Sequence, residues 1–195
     1  MKNTCIITKI SIAFMAVLSV FSLIFAIYRQ NPAGASEAAV REIVRIVGGE
    51  MAAARSRDDA HLAAFYDSGE EYDGGAGQVD FRILSVTDEV VSFVVEKDLP
   101  YSSPYGRTVY YNVSQSSGEH ITLSDVFGDG WKDIVTARII PAIEADSQVY
   151  SGIDAAPMIN ENRMFYMDGD AVVIVFDTGE VAPEEFGVKI YPIST

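Results

Sequence analysis

This chain is short of the residues from which many active sites are built. It has one cysteine, Cys5, and two histidines, His61 and His120. A lone cysteine excludes an intrachain disulfide, and Cys5 precedes the apolar run, the wrong place for a lipid-modified cysteine at a cleavage site. A zinc site rich in His and Cys is likewise not available, and no metal or other cofactor is expected. No Gly-x-Ser-x-Gly elbow occurs, so the best-marked serine nucleophile is missing. Acidic residues are absent before Glu37, and basic residues are scarce after Arg29, where 11 face 28 acidic ones. That balance excludes nucleic acid as an expected partner, because binding it requires Lys and Arg against phosphates. It leaves room for a cationic partner, beside the plainer reading of a solvated acidic surface that keeps the domain soluble.

What the sequence does have is one long apolar run. Ile10 to Tyr28, ISIAFMAVLSVFSLIFAIY, carries no charge and is close to the ~20 residues that cross a bilayer. Lys2 and Lys9 precede it, and the acidic bulk follows. The expected arrangement is a cytoplasmic tip (1–9), a transmembrane or signal helix (10–28), a linker (29–35) and an extracytoplasmic domain (36–195). Two fates are weighed for the leader. A retained anchor is preferred, since the run exceeds the roughly 7–15 residues of an ordinary signal-peptide core. Secretion after cleavage following Ala35 is the alternative, because Ala33-Gly34-Ala35 fits a small-x-small site.

The remaining residues, 49% apolar over the whole chain, suffice for a single domain. Ser36 is a plausible N-cap, with Val40, Ile43, Val44, Val47 and Met51 on one face of the helix it opens. A break is expected at Gly48-Gly49, before a second helical stretch starting near Ser56 and carrying Leu62, Phe65 and Tyr66. Glu70 to Gly77 reads as an acidic, glycine-rich loop. Val79, Phe81 and Ile83 alternate with polar residues, and Val90–Glu96 reads as a mostly buried strand. Together they make a hairpin. Another hairpin is expected from Thr108–Val113 and Ile121–Leu123 across the SQSSG turn. Trp131 to Ala145 is a helix, with Asp129 a candidate cap, Trp131, Val135, Ile139 and Ala142 on one face, and a kink at Pro141. The clearest stretch is Arg163 to Pro192, where Met164–Met167, Ala171–Phe176 and Val188–Tyr191 form a β-meander turned at Asp168-Gly169. The expected fold class is α+β: one antiparallel sheet of about six to seven strands with two to three helices on one face, preceded by the N-terminal helix.

Two motifs carry a family resemblance. YYNVSQSSGEHITLSDVFGDGW (Tyr110–Trp131) and the stretch Phe165 to Tyr191, with Glu180-Val181-Ala182-Pro183 and Gly187, resemble the exported domain of unknown function of RsiV-type anti-sigma factors. Similar domains accompany some secreted peptidoglycan deacetylases. The resemblance spans about Ser36 to Thr195 and implies a non-catalytic extracytoplasmic domain; some members of the family bind lysozyme. Two departures are visible. LPYSSPYGR (Leu99–Arg107) replaces a Gly-Ala-His-type segment, and Met1 to Lys9 is too short to enclose a sigma factor, so no anti-sigma role is expected of this chain alone.

The candidate ligand-contact residues are Tyr101, Tyr105, Tyr110 and Tyr111, because tyrosine offers a large, stiff, amphipathic surface. Against this, alternate strand residues face opposite ways, so Tyr110 or Tyr111 can equally be core. His120 is read as an ordinary surface or packed histidine. Asp168 with Asp170 and Glu184 with Glu185 are paired carboxylates of the kind a glycosidase would aim into one cleft, but turn chemistry and a solvated loop explain them as well. Asp125, Asp129 and Asp133 lack EF-hand spacing and read as helix caps. The expectation is a membrane-tethered, non-enzymatic binding or sensing module of the bacterial cell envelope, recognising a cationic protein such as lysozyme or a peptidoglycan component. The alternatives are an envelope glycan-active enzyme using the paired carboxylates and a structural spacer.

Overall fold

The computed structural model describes residues 29, 34–68, 77–98 and 108–194. The Ile10–Tyr28 run, most of the Glu70–Gly77 loop, Leu99–Arg107 with Tyr101 and Tyr105, and the side chains of Leu62, Phe65 and Tyr66 lie outside the described residues. Among the described residues no helix is long and apolar enough to cross a membrane.

The chain order is helix α1 (Glu37–Ser68), strands β1 (Gln78–Val86), β2 (Val90–Asp98) and β3 (Thr108–Ser114), helices α2 (Leu123–Phe127) and α3 (Trp131–Ala145), then β4 (Phe165–Asp168), β5 (Ala171–Phe176) and β6 (Lys189–Ser194). These make two three-stranded antiparallel sheets, β1-β2-β3 and β4-β5-β6. The α+β class holds, but the single sheet does not. The outer edge of β3 is already occupied, since Ile121 donates its backbone amide to the Asn112 carbonyl and Ser114 donates to the Glu119 carbonyl. With those groups taken, β4 cannot continue the ladder at that point.

Each sheet also has its own helix, which corrects the expectation of helices on one face. In the first half, Ala39, Val40, Ile43, Ile46 and Val47 of α1 pack on Val91, Phe93 and Val95 of β2 and on Val113. In the second, Val135, Ile139 and Ile143 of α3 pack on Val172, Ile174, Phe176, Tyr191 and Ile193. The central strand β2 is buried continuously from Val90 to Val95, because α1 covers one face and the second half meets the other.

Ser36 does cap α1, its Oγ accepting from the Ala39 amide at 3.1 Å. The expected break at Gly48-Gly49 is absent: α1 is one helix of 32 residues. Apolar packing on the N-terminal side of the pair outweighs a helical penalty of about 1 kcal/mol per glycine. Met51 is 44% exposed, and Ile46 takes its place on the buried face. Ile121–Leu123 is not a strand; one bridge, Val113 to His120, is formed before Thr122 turns the chain into α2. Thr122 and Asp125 form a capping box, each side chain bonding the other's backbone amide, which is why a helix wins there. Helix α3 runs through Pro141, its N-cap is Gly130 rather than Asp129, and Ile143 rather than Ala142 is buried.

The predicted β1–β2 hairpin and the β4–β5–β6 meander both form in antiparallel register. The β4–β5 turn is Gly169-Asp170 between the paired residues Asp168 and Ala171, with Gly169 at φ +60°. The halves are joined by buried polar side chains. Ser92 donates to Asn112 Oδ1 at 2.6 Å, Asn112 Nδ2 donates to the Phe165 carbonyl at 2.8 Å, and the Met167 amide donates to Ser92 Oγ at 2.9 Å. Two side chains of the first sheet thus satisfy backbone groups that β4 turns away from β5.

Candidate functional site

Where the halves meet, three connections and helix α2 converge on a cleft of about 850 Å³. The β1–β2 turn supplies Thr87, Asp88 and Glu89. Thr87 Oγ1 accepts from the Val90 amide at 3.0 Å and from the Glu89 amide at 3.3 Å, which pins the turn and leaves both carboxylates exposed. The β3–α2 turn supplies Ser114 and Ser116, α2 supplies Asp125 and Val126, and the β4–β5 turn supplies Gly169 and Asp170. Val90, Ile121, Val126 and Met167 give the cleft its apolar lining. Among the described residues lining it there are four carboxylates and no lysine or arginine.

The Thr122 hydroxyl, and then the Thr122 backbone amide, hold the Asp125 carboxyl below its usual range, so it stays charged in mildly acidic solution. An acidic rim over an apolar lining suits a lysine or arginine side chain, whose alkyl stem can lie on carbon while its head meets the carboxylates.

The cleft lies beside the point at which the chain enters the domain. Gln115 Nε2 donates to the Gly34 carbonyl at 2.7 Å and to the Thr87 carbonyl at 3.0 Å, while Gln115 Oε1 accepts from the Ser36 amide at 2.7 Å. The same turn ends at Gly118, with φ +76°, where an added Cβ would come within 2.8 Å of the Ala38 carbonyl. Only glycine lets this turn lie against the start of α1.

Of the tyrosines, Tyr110 and Tyr111 point to opposite faces of the first sheet. Tyr110 stacks on Tyr166 of β4 with ring centroids 5.5 Å apart, and Tyr111 stacks on Phe93 at 5.2 Å. Burial, followed by the nearby Tyr166 and Glu96, raises the Tyr110 hydroxyl. Burial, followed by the Glu50 carboxylate, pushes Tyr111 up to about 12. Both hydroxyls therefore stay protonated at neutral pH. Tyr111 borders a smaller groove with His120, whose Nε2 stands 3.1 Å from Glu42. Arg45 first, and His120 after it, lower the Glu42 carboxyl against its partial burial.

The paired carboxylates are divided. Asp168 ends β4 while Asp170 reaches the cleft, and Glu184 and Glu185 sit exposed in a 3₁₀ turn (Glu184–Phe186). No group of three or more His, Cys, Asp or Glu side chains among the described residues is placed to hold a metal ion. Sequence reasoning missed Asp88 and Glu89 as site residues and Gln115 as the side chain that fixes Thr87 beside them. Each reads as an ordinary turn residue.

No family model matches this sequence, and no curated protein matches it. Solved structures do resemble it. A member of the DUF3298 family from Bacteroides fragilis superposes with a TM-score of 0.51 at 17% identity, covering 83% of this chain and 67% of that one. A DUF3298 family protein from Pseudomonas aeruginosa gives a TM-score of 0.41 at 13% identity, covering 70% of this chain and 65% of its own. The first of these likenesses shows a shared fold with a protein from an uncharacterised domain family.

Proposed function

We propose that this chain is a non-catalytic binding module of the bacterial cell envelope, tethered by its apolar N-terminal run, whose junction cleft receives a cationic segment of a protein partner. The observation that carries this reading is the cleft itself: Asp88, Glu89, Asp125 and Asp170 around an apolar lining, without a described lining cation. A net charge of -14 adds long-range attraction for such a partner and speeds encounter. The sequence resemblance to RsiV-type exported domains points the same way.

The test is retention of a cationic protein, lysozyme as first probe, by the full chain in detergent at two salt concentrations. The expected result is binding that weakens with salt and falls at least tenfold in Asp88→Asn/Glu89→Gln, residues exposed enough to change without unfolding the domain. Binding that survives those changes would remove the cleft from the proposal. Hydrolysis of purified cell wall by the chain, lost in Asp170→Asn, would replace a binding module with an enzyme.

A further inference from the structure

Gln115 does not line the acidic cleft, yet it is bonded both to the cleft's acidic turn and to the residues that open α1. Towards the cleft, its backbone amide donates to the Glu89 carbonyl at 2.7 Å and Nε2 donates to the Thr87 carbonyl at 3.0 Å. Towards α1, Nε2 also donates to the Gly34 carbonyl, Oε1 accepts from the Ser36 amide, and the Gln115 carbonyl accepts from the Ser36 hydroxyl at 2.5 Å. These partners fix the orientation of the side-chain amide, because turning it over would set its oxygen against two carbonyls. Ser36 passes the connection on, its carbonyl accepting from the Val40 amide at 2.9 Å and its Oγ from the Ala39 amide. On the other side, Thr87 Oγ1 holds the amides of Glu89 and Val90.

Such an arrangement makes the two ends depend on each other. If Gly34 to Ser36 move away, the Gln115 side chain keeps only its bond to Thr87. One part-exposed hydrogen bond is worth no more than the rotamer freedom a glutamine regains on release, so that bond is lost as well. The Thr87 carbonyl is then unheld, and the turn that presents Asp88 and Glu89 loosens. We propose that Gln115 is a positioning residue that links occupancy of the cleft by a cationic peptide to closure of the Gly34–Ser36 junction. The inference rests on the cleft binding cations, as proposed above. A ligand that prefers the held turn must, by linkage, suppress opening of the junction, although no junction residue lines the cleft.

The experiment is amide hydrogen exchange on the full chain in detergent, with and without a tetralysine peptide whose affinity is measured separately. The readouts are the Ala39 and Val40 amides, which are freed when Ser36 leaves its place. At a peptide concentration a hundred times its Kd, their exchange is expected to slow at least fivefold, the ceiling for complete linkage being about 100-fold. The Asp146 amide, bonded to the Ile143 carbonyl at the end of α3, opens without disturbing the cleft and should not change. Gln115→Met keeps the length of the side chain and removes its three bonds; it should abolish the peptide's effect on Ala39 and Val40 while the peptide still binds. Gln115→Asn, one methylene shorter, withdraws the amide from both carbonyls and should do the same, and protected β5 amides verify that each variant is folded. Peptide that binds without slowing Ala39 and Val40, or a slowing that survives in both folded variants, would overturn the linkage and leave the binding function standing. Peptide that does not bind, or binds equally to Asp88→Asn/Glu89→Gln, would overturn the binding function and the linkage with it.

Discussion

The two halves of the domain use the same parts and hold them together differently. Both are three antiparallel strands under a helix, yet the first depends on a long helix laid along one sheet face, whereas the second closes with a half-buried ion pair. Arg163, whose side chain is 8% exposed, donates to Glu180 at 2.8 Å and lies 4.4 Å over the Phe176 ring, and it also donates to the Val175 carbonyl. The difference teaches where each half is vulnerable. Apolar contacts spread along α1 fail gradually, while a mostly buried charge fails at once when its partner is lost.

Arg163→Met tests that contrast most severely. It leaves Glu180 without its cation and should cost about 3–4 kcal/mol. In a denaturant melt, with the Ser92–Asn112 joint intact, the midpoint should fall by the same amount in probes of β5 and β6 and of α1. An α1 midpoint that stays put would mean that the halves separate even with the joint in place.

Asn112→Ala strikes the joint instead of either core. It strands the Phe165 carbonyl and removes the acceptor for the Ser92 hydroxyl, at an expected cost of about 2–3 kcal/mol. Thermal unfolding monitored in both halves should broaden or split into two transitions.

Acid gives a gentler version of the first experiment. Burial raises the Glu180 carboxyl, but the Arg163 bonds and the Asp177 amide outweigh it, so its pKa is lowered from 4.5. The ion pair's contribution is therefore complete above pH 4.5 and is lost as pH falls through the depressed value. Glu180→Gln should flatten that acid limb of the stability profile, and an unchanged limb would assign it to other carboxylates. The smallest effect has the opposite sign. Gly48→Ala, with open space around its Cβ, should stabilise the first half by about 1 kcal/mol, measurable in urea.

The elements were legible in the sequence where a local rule and the packing agree. Alternation in Val79–Ile83, the β-branched run from Val90 and the Gly169 turn each specify a strand or hairpin without outside help. Gly48-Gly49 misled because helix propensity counts about 1 kcal/mol per residue, whereas burying Ile43, Ile46 and Val47 contributes several times that. Ile121–Leu123 misled because Thr122 and Asp125 act across four residues as a cap, a signal stronger than two apolar letters. The cleft was the least legible feature. Asp88, Glu89 and Asp170 in turns and Asp125 in α2 are brought together only by the joint, and Ser92 and Asn112, which make that joint, look in sequence like routine polar strand residues.

Everything proposed for the cleft depends on the Ser92–Asn112 joint holding two separately cored halves as one cooperative body. Native-state hydrogen exchange on the full chain, compared with Ser92→Ala/Asn112→Ala, tests this most directly. The predicted result is one shared opening free energy for β2 and β5 amides in the natural protein and a clear gap between them in the variant. Identical values for the two strands in the variant, or a gap already present without it, would contradict the account.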